Sequence, residues 1–314
     1  MAAPGDRAKA TPESRPSLLQ LVETLPYLET NRLLISLYSR RYIANFYEVC
    51  WRLVLGSWRR EGFELEVGAH PPFKRIKCAD LEELRFLIGA CYVAGAFLGA
   101  DAAASEIEQM HDLARTVRAA LRAKFVKSEV DALSTGGWPG VKEAVLFSLV
   151  RRLRPSSVVE TGVAQGVSST FILQAMNLNG YGELISIDLP NFNRAGLHYS
   201  GSRFCDRVYN KPELGVGWLI PDQLRSRWQL LVGESTKVLP KVQVQPTIFF
   251  HDSAHSYDVM TFEFGWALDH LPSGGVLVSD DIDWNDAFCD FAELHRGGIR
   301  VLSSKRTGLM VRTG

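Results

Sequence analysis

The spacing of hydrophobic residues along the chain changes near residue 135. From about residue 18 to residue 125, apolar residues recur at steps of three and four, which is the spacing of one face of an amphipathic helix. We predict a helix over residues 31–54 that is capped by Asn31, a break over residues 62–72, and further helices between an Asp80 cap and residue 127. Residues 17–135 are therefore expected to form a helical N-terminal domain.

Beyond a loop at residues 134–140, short apolar runs alternate with helical segments, which predicts a parallel sheet covered by helices on both faces. The predicted strands lie at residues 157–160, 184–188, 229–232, 247–252 and 275–280, and the helices at 141–153, 169–176, 236–239 and 257–271. Two further apolar segments, at 299–302 and 309–312, predict an antiparallel hairpin at one edge. Residues 136–314 are thus expected to form an α/β domain, with a Rossmann-like, doubly wound, mostly parallel seven-stranded sheet that ends in this hairpin.

The amino-acid composition excludes some classes of binding partner and of cellular location. The 35 basic and 35 acidic residues balance, which argues against nucleic acid or an anionic membrane as a partner. The most apolar stretch, residues 86–100, is shorter than the roughly 20 residues that span a bilayer. Residues 1–16 lack the apolar core of a signal peptide and are expected to be a flexible tail. Five scattered cysteines without a CxxC pair fit a reducing compartment, so we expect a cytoplasmic protein.

The first predicted strand of the α/β domain ends in a glycine-rich turn that opens a helix. The turn reads ETGVAQGVSS and contains Glu160, Gly162, Gly166 and Ser168. Glycine lets the backbone turn sharply and lets a ligand lie against it, and Ser168 or Ser169 can cap the helix. A dinucleotide site favours GxGxxG, whereas this turn is GxxxG preceded by an acid, which opposes a diphosphate and suits a cationic ligand. A purely structural strand-to-helix turn is the alternative.

Polar residues also follow the next two predicted strands. Asp188 ends the second strand, where a carboxylate can accept hydrogen bonds from ribose hydroxyls. A turn or cap residue before Pro190 is the alternative explanation for it. Glu234 and Ser235 follow the third strand in a loop that can contact an adenine ring, although a helix cap would explain Ser235 equally well.

The fourth and fifth strands end in three aspartates and a histidine. Asp252, Asp280 and Asp281 would meet at the carboxyl edge of the sheet, where like charges repel unless a proton or a cation intervenes. Oxygen ligands favour a hard divalent ion, Mg²⁺ first. His255, three residues after Asp252, can take a proton from a metal-bound hydroxyl near neutral pH. Turn-forming aspartates and a histidine that only hydrogen-bonds the next helix are the alternatives, and His251 is expected in the core.

Four motifs in this order resemble those of the class I S-adenosylmethionine methyltransferases: ETGVAQGVSS, the Asp188 position, FFHDSAHSY and LVSDDIDWNDAF. The resemblance covers residues 136–314 and is to the branch that includes metal-dependent sugar and catechol O-methyltransferases and cephalosporin-hydroxylase-like proteins. It implies S-adenosylmethionine and a divalent metal ion as cofactors and a small hydroxylated molecule as acceptor. The resemblance implies that the methionine part of the cofactor contacts Glu160, Gly162, Gly166 and Ser168, and that Asp188 binds the ribose. It also implies that the metal ion is bound by Asp252, Asp280 and Asp281, and that His255 accepts the proton.

The chain departs from the family pattern at one motif position. Family members often have DGDH where this chain has DSAH, so Ala254 stands in place of a second acid. The segment over residues 190–228 is expected to wall the acceptor pocket, and the N-terminal helices to form a lid or a homo-oligomer interface. The alternatives are a non-catalytic subunit that binds S-adenosylmethionine, a hydroxylase-like relative, and a nicotinamide oxidoreductase, which the absence of GxGxxG disfavours.

Overall fold

The computed structural model describes residues 54–55, 63–67, 74–79, 81–125, 139–189, 214–303 and 306–314. Apart from Val54, the predicted helix over residues 31–54 lies outside this part of the chain. Asp80 and residues 190–213 of the predicted pocket wall also lie outside it. None of the helices that the structure describes is long and apolar enough to cross a membrane.

A small antiparallel sheet precedes the first described helix. Strands β1 (Val54–Leu55), β2 (Phe63–Val67) and β3 (Lys74–Cys78) pair in that order. The break in the helical pattern that the sequence predicted over residues 62–72 contains strand β2, which was not predicted. The signal was present in the sequence, because FELEV alternates apolar and polar residues with the period of a strand.

Among the described residues, three helices follow and lead into the main sheet. Helix α1 (Leu81–Leu98) and helix α2 (Ala100–Lys124) are separated by Gly99, whose φ of 80° is in the left-handed region that glycine adopts without strain. Helix α1 packs closely on helix α3 (Val141–Leu153). At Gly89 of α1, an added Cβ would lie 2.6 Å from Cγ2 of Val141.

The α/β domain has the predicted fold class. Its sheet has the order β6-β5-β4-β7-β8-β10-β9, and all neighbouring strands are parallel except that β10 runs antiparallel to β8 and β9. The strands are β4 (Ser157–Thr161), β5 (Glu183–Asp188), β6 (Trp228–Val232), β7 (Ile248–His251), β8 (Val276–Ser279), β9 (Ile299–Ser303) and β10 (Gly308–Arg312). The helices are α4 (Val167–Asn179), α5 (Ser235–Val238), α6 (Tyr257–His270) and α7 (Ala287–Leu294), with 3-10 turns at Asp222–Arg227 and Leu239–Lys241.

Both faces of the sheet are covered, as its continuous apolar strands require. Neighbouring residues of β7 belong to different cores: Phe250 lies in the core that the sheet shares with helices α1 to α4, and Phe249 in the core that it shares with α6 and α7. In the first core, the Phe86 ring of α1 meets the Phe171 ring of α4 at a centroid distance of 5.9 Å. The first two helices are thus continuous with the core of the α/β domain.

The carboxyl ends of the three central strands lie side by side. In the register, Thr161 of β4 is opposite His251 of β7, and His251 is opposite Ser279 of β8. The next residues extend this pairing, since the Asp252 N–H donates to the Thr161 carbonyl and the Asp280 N–H donates to the His251 carbonyl. Parallel pairing therefore brings Asp252 and Asp280 to one edge of the sheet.

Candidate active site

A lysine side chain lies between two of the strand-end aspartates. The Nζ of Lys142, in the first turn of α3, is 2.8 Å from Oδ2 of Asp252 and 2.7 Å from Oδ2 of Asp280. The Lys142 side chain is only 13% exposed, so this double ion pair is shielded from water. A bridging ammonium offsets the repulsion that two neighbouring carboxylates would otherwise experience.

The third aspartate faces an arginine from the C-terminal hairpin. Arg306, in the connection between β9 and β10, donates two hydrogen bonds to Oδ1 of Asp281, one of them from Nε at 2.9 Å. The neighbouring Thr307 hydroxyl donates to Oδ1 of Asp280 at 3.2 Å. Asp281 adopts a φ of 48°, a left-handed conformation that a short polar residue tolerates. The hairpin therefore contributes directly to the edge where the aspartates meet.

The residues as arranged do not fit a metal ion held by the three aspartates. The Lys142 ammonium lies between Asp252 and Asp280, where a shared ion would be, and Asp281 turns to Arg306. Within the part of the chain that the structure describes, these carboxylates do not bring one oxygen each within 4.8 Å of the others. The predicted acids do come together, but the cations among them are protein side chains.

The two neighbouring carboxylates keep the Lys142 side chain protonated. Burial alone would lower the pKa of Lys142, but the Asp252 and Asp280 carboxylates outweigh it and hold this pKa well above its ordinary value. Burial likewise opposes ionisation of Asp280, yet the Lys142 charge lowers the pKa of that carboxyl. Burial and the neighbouring aspartates raise the pKa of Asp252.

His255 lies between the aspartates and two aromatic rings. Its Nε2 is 3.8 Å from Oδ1 of Asp252 and 3.9 Å from Oδ2 of Asp281. Its ring contacts Trp284 at a centroid distance of 5.0 Å and His251 at 5.2 Å. These distances to the carboxylates are too long for direct hydrogen bonds, but an oxygen atom placed between them could reach both partners.

Both ring nitrogens of His255 are buried without a hydrogen-bond partner among the described residues. Buried polar atoms of this kind usually have a partner, so an unpaired imidazole beside the strand-end aspartates points to a group that binds there. Burial is the main cause that lowers the pKa of His255 from 6.5 to about 3, and its electrostatic interaction with His251 lowers this pKa further. The imidazole is therefore neutral at pH 7 and can accept a hydrogen bond.

His251 has a structural partner, in agreement with the expectation of a core histidine. Its Nδ1 is 2.6 Å from Oε2 of Glu263, and neither side chain is exposed. The Glu263 carboxylate also accepts hydrogen bonds from the hydroxyls of Thr161 and Ser253. Burial opposes ionisation of Glu263, but His251 and the hydroxyls of Ser235 and Thr161 together lower its pKa. This pair ties β7 to helix α6 beneath His255.

Glu160 lies beneath the glycine-rich turn and does not face the cleft. Its fully buried carboxylate accepts hydrogen bonds from the hydroxyls of Ser168 at 2.6 Å, Ser169 at 2.6 Å and Ser186 at 2.8 Å. Burial raises its pKa in spite of these donors. Glu160 and Ser168 thus join β4, β5 and the start of α4, and the structure does not present either side chain to a ligand.

The two glycines of the turn are required by close packing. Gly162 has a φ of 83°, and a Cβ there would lie 2.0 Å from the carbonyl oxygen of Asp252. Gly166 has a φ of 92°, and a Cβ there would lie 2.9 Å from Cγ1 of Ile220. Glycine therefore lets the turn approach the Asp252 backbone on one side and the segment before β6 on the other.

Asp188 fixes the shape of the same turn from below. Its Oδ2 accepts hydrogen bonds from the N–H groups of Val163 and Ala164, both at 2.8 Å, and its Oδ1 accepts one from Leu189 at 2.6 Å. Burial raises its pKa. Because a carboxylate can accept about four hydrogen bonds, Asp188 retains capacity toward a ligand at the strand end.

The last two predicted cofactor residues lie at the start of α5. The Glu234 side chain is 48% exposed and pairs with Lys237 of the same helix at 2.7 Å. Ser235 supplies one of the hydrogen bonds that lower the pKa of Glu263. Glu234 is therefore the accessible residue of the two, and Ser235 belongs to the network under the site.

Sequence reasoning missed Lys142, Arg306 and Thr307. Lys142 is separated from Asp252 by 110 residues and from Asp280 by 138, so no local motif links them. One local signal did exist: Lys142 is a cation in the first turn of a helix, where the helix dipole disfavours positive charge. A lysine in that position needs acidic partners from elsewhere in the fold.

The chain was compared with known proteins by family model, by sequence and by structure. Residues 159–282 match a family model described as a methyltransferase domain. The sequence matches none of the curated proteins.

Several solved structures are similar to the chain at low sequence identity. The S-adenosylhomocysteine-bound methyltransferase PaMTH1 of Podospora anserina is 14% identical, with 65% of this chain and 88% of that chain covered and a TM-score of 0.44. The O-methyltransferase TomG of Streptomyces achromogenes is 16% identical, with 75% and 100% covered and a TM-score of 0.44. An O-methyltransferase from Bacillus cereus is 14% identical, with 73% and 99% covered and a TM-score of 0.40.

The matched segment begins in β4 and ends just after Asp281, so it spans the glycine-rich turn and all three strand-end aspartates. The sheet around it has the mostly parallel strands and the antiparallel C-terminal hairpin that the apolar pattern predicted. Residues 159–282 are therefore similar to a methyltransferase domain.

Proposed function

We propose that the chain transfers a methyl group from S-adenosylmethionine to an oxygen atom of a small hydroxylated acceptor. The observation that carries this proposal is the unpaired His255 imidazole, whose Nε2 lies 3.8 Å from an Asp252 carboxylate oxygen. A hydroxyl group between these two side chains would hydrogen-bond to both. A sugar or an aromatic secondary metabolite offers such a hydroxyl.

The cofactor would lie over the carboxyl ends of β4, β5 and β6. The backbone of the turn at Gly162, the Asp188 carboxylate and the exposed Glu234 line that edge of the sheet. Acidic side chains at this edge, among them Asp280 and the exposed Glu234, favour a sulfonium cation nearby. The donor methyl would then lie on the side of the turn where Asp252 approaches Gly162, next to His255.

In the proposed reaction, the acceptor oxygen attacks the methyl carbon as its proton moves to Nε2 of His255. The carbon–sulfur bond breaks, its electron pair stays on sulfur, and the products are a methyl ether and S-adenosylhomocysteine. Alignment of the reactants supplies the larger part of the rate enhancement, up to about 7–11 kcal/mol. The flanking Asp252 and Asp281 carboxylates stabilise the imidazolium as it forms.

Lys142 has the role of a fixed cation in this site. Its ammonium keeps Asp252 and Asp280 in place and lowers the energy of negative charge on the acceptor oxygen. The resemblance implied a metal ion among these acids, but Lys142 lies where the shared ion would be. We therefore expect methyl transfer without a divalent metal ion.

The test measures methyl transfer from labelled S-adenosylmethionine to a panel of sugars and catechol-like aromatics. Wild-type turnover should be unchanged by EDTA and by added Mg²⁺, in samples shown to be folded by thermal unfolding. The Lys142→Met variant should lose about 10²-fold or more in kcat, because it removes a preorganised charge, while it keeps its affinity for S-adenosylmethionine in calorimetry. The exposed Lys241→Met should behave as wild type.

Each part of the proposal has its own contrary result. Loss of wild-type turnover in EDTA with full recovery in Mg²⁺ would refute the role of Lys142. Tight cofactor binding without turnover on any hydroxylated acceptor would show a binding subunit instead of an O-methyltransferase. A cytoplasmic location and assembly through the N-terminal helices stay predictions.

A further inference from the structure

A group of side chains of the types that bind metal ions lies outside the matched segment, residues 159–282. Cys78 is the last residue of β3, Glu83 lies in the first turn of α1, and His111 lies in α2. All three side chains are buried, and one ligand atom from each lies within 4.8 Å of the other two. Three different elements therefore place a sulfur, an oxygen and a nitrogen at one point.

The distances are close to those of a coordination shell. Nε2 of His111 lies 3.9 Å from Sγ of Cys78 and 3.7 Å from Oε2 of Glu83. The second distance is too long for a direct hydrogen bond between nitrogen and oxygen. Tetrahedral Zn²⁺, with bonds of about 2.3 Å to sulfur and about 2.0–2.1 Å to nitrogen, separates its ligands by about 3.5 Å. If the three side chains shifted by a few tenths of an ångström, their ligand atoms would occupy three of the four tetrahedral positions around the ion.

The Glu83 carboxylate is already oriented by contacts outside this group. Its Oε2, the oxygen that faces His111, accepts a hydrogen bond from the Ala79 N–H at 2.7 Å. Its Oε1 lies 3.6 Å from Nε of Arg115, whose side chain is 55% exposed. Outer contacts of this kind hold the ligands of a metal site in their binding orientation.

The histidine would bind a metal ion through the lone pair of its neutral imidazole. The Cys78 thiol would release its proton to solvent on binding, as thiol ligands do.

We propose that Cys78, Glu83 and His111 bind a divalent transition-metal ion, with Zn²⁺ as the preferred ion. A mixed sulfur, nitrogen and oxygen set favours Zn²⁺ over Mg²⁺, and the thiolate and carboxylate balance the charge of the ion. A water molecule takes the fourth position. The ion joins the small sheet to helices α1 and α2, so it stabilises the N-terminal part. This proposal does not depend on the proposed methyl transfer.

The test uses Co²⁺ and Zn²⁺ with the full chain after removal of bound metal. Wild type should bind one equivalent of Co²⁺ with a thiolate-to-cobalt charge-transfer absorption, Zn²⁺ should displace it, and either ion should raise the Tm. Cys78→Ser should lose this absorption and the rise in Tm. His111→Asn should weaken binding at least tenfold. The exposed Cys289→Ser is the matched control and should behave as wild type.

Two results would overturn the metal site: no charge-transfer absorption in wild type, or the same absorption in Cys78→Ser. If Cys78→Ser does not fold, the comparison of His111→Asn with Cys289→Ser decides the question by affinity. Affinity for S-adenosylmethionine, measured in the same folded variants, should not change. Loss of metal binding is thereby distinguished from failure of the methyltransferase site.

Discussion

His255 shows how burial can prepare one side chain for chemistry. Its side chain is 5% exposed, its ring contacts Trp284 and His251, and neither ring nitrogen has a hydrogen-bond partner among the described residues. An unpaired buried polar group has a desolvation cost of about 1–3 kcal/mol. A bound acceptor hydroxyl would remove that cost, so part of the binding energy is available for orienting the reacting oxygen.

Replacing this histidine should change how stability depends on pH. The unfolded chain protonates His255 below about pH 6.5, whereas the folded chain keeps it neutral down to about pH 3. The folded state therefore loses stability from this residue as the pH falls from 6.5 toward 3. Between pH 7.5 and pH 5 the loss is about 2 kcal/mol, and His255→Asn should lack it.

Urea unfolding of wild type and His255→Asn at both pH values measures this difference directly. Methyl transfer by the variant should fall by about 10²–10⁴-fold, the usual contribution of a general base. Equal loss of stability in both proteins between the two pH values would show that the imidazole is not held neutral. Unchanged turnover would show that a group other than His255 accepts the proton of the acceptor hydroxyl.

At the scale of secondary-structure elements, the site forms where the segments that connect the strands and helices contact one another. The turn after β4 touches the backbone after β7 at Gly162, the hairpin between β9 and β10 supplies Arg306, and the first turn of α3 supplies Lys142. The parallel strands bring their ends to one edge, as open α/β sheets do. The start of α3 and the hairpin each contribute a positive charge beside the aspartates.

The contact between two of these connections can be tested with a pair of glycine variants. Gly162→Ala places a Cβ 2.0 Å from the Asp252 carbonyl oxygen, so it should displace Asp252 and destabilise the fold by several kcal/mol. Gly180→Ala has a comparable φ of 67° but meets no atom within 4 Å, so it should cost only about 1 kcal/mol. Thermal unfolding and turnover of the two variants separate the contact from the backbone strain.

A similar effect of both substitutions on stability and on turnover would contradict this account. It would mean that the positive φ alone, and not the approach to Asp252, makes Gly162 necessary. Loss of turnover in Gly162→Ala with normal stability would instead support a local displacement of Asp252.

At the scale of the whole molecule, helices α1 and α2 share one core with the sheet. Phe86, which is 2% exposed, packs edge-on against the fully buried Phe171 of α4, and α1 lies against α3 at Gly89. Helix α3 carries Lys142, so the N-terminal helices support the element that supplies the cation of the site. A shared core of this kind favours one cooperative unfolding transition.

Truncation of this core residue tests the coupling. Phe86→Ala should destabilise the chain by about 3–5 kcal/mol and lower the Tm of the α/β domain together with that of the helices, in a single transition. Calorimetry shows the number of transitions, and hydrogen exchange shows whether the amides of β4 and β7 lose protection. Two separate transitions, with the sheet unaffected, would contradict a shared core.

The sequence by itself determined the main architecture. The alternation of short apolar runs with helical segments predicted the strand order in the chain, the parallel sheet and the edge hairpin, because these follow from local periodicity and the burial of both sheet faces. It also placed Asp252, Asp280 and Asp281 at strand ends. Strands β2 and β3 were missed although FELEV alternates, because helical periodicity on both sides of them dominated the interpretation.

The tertiary structure decided which charges those acids face. Lys142 and Arg306 lie far from the aspartates in sequence, and only the packing of α3 and the return of the hairpin bring them within hydrogen-bond distance. The same holds for the group of Cys78, Glu83 and His111, which three elements contribute. Local sequence encodes periodicity and turns, whereas the partner of a buried charge depends on which elements meet when the core forms.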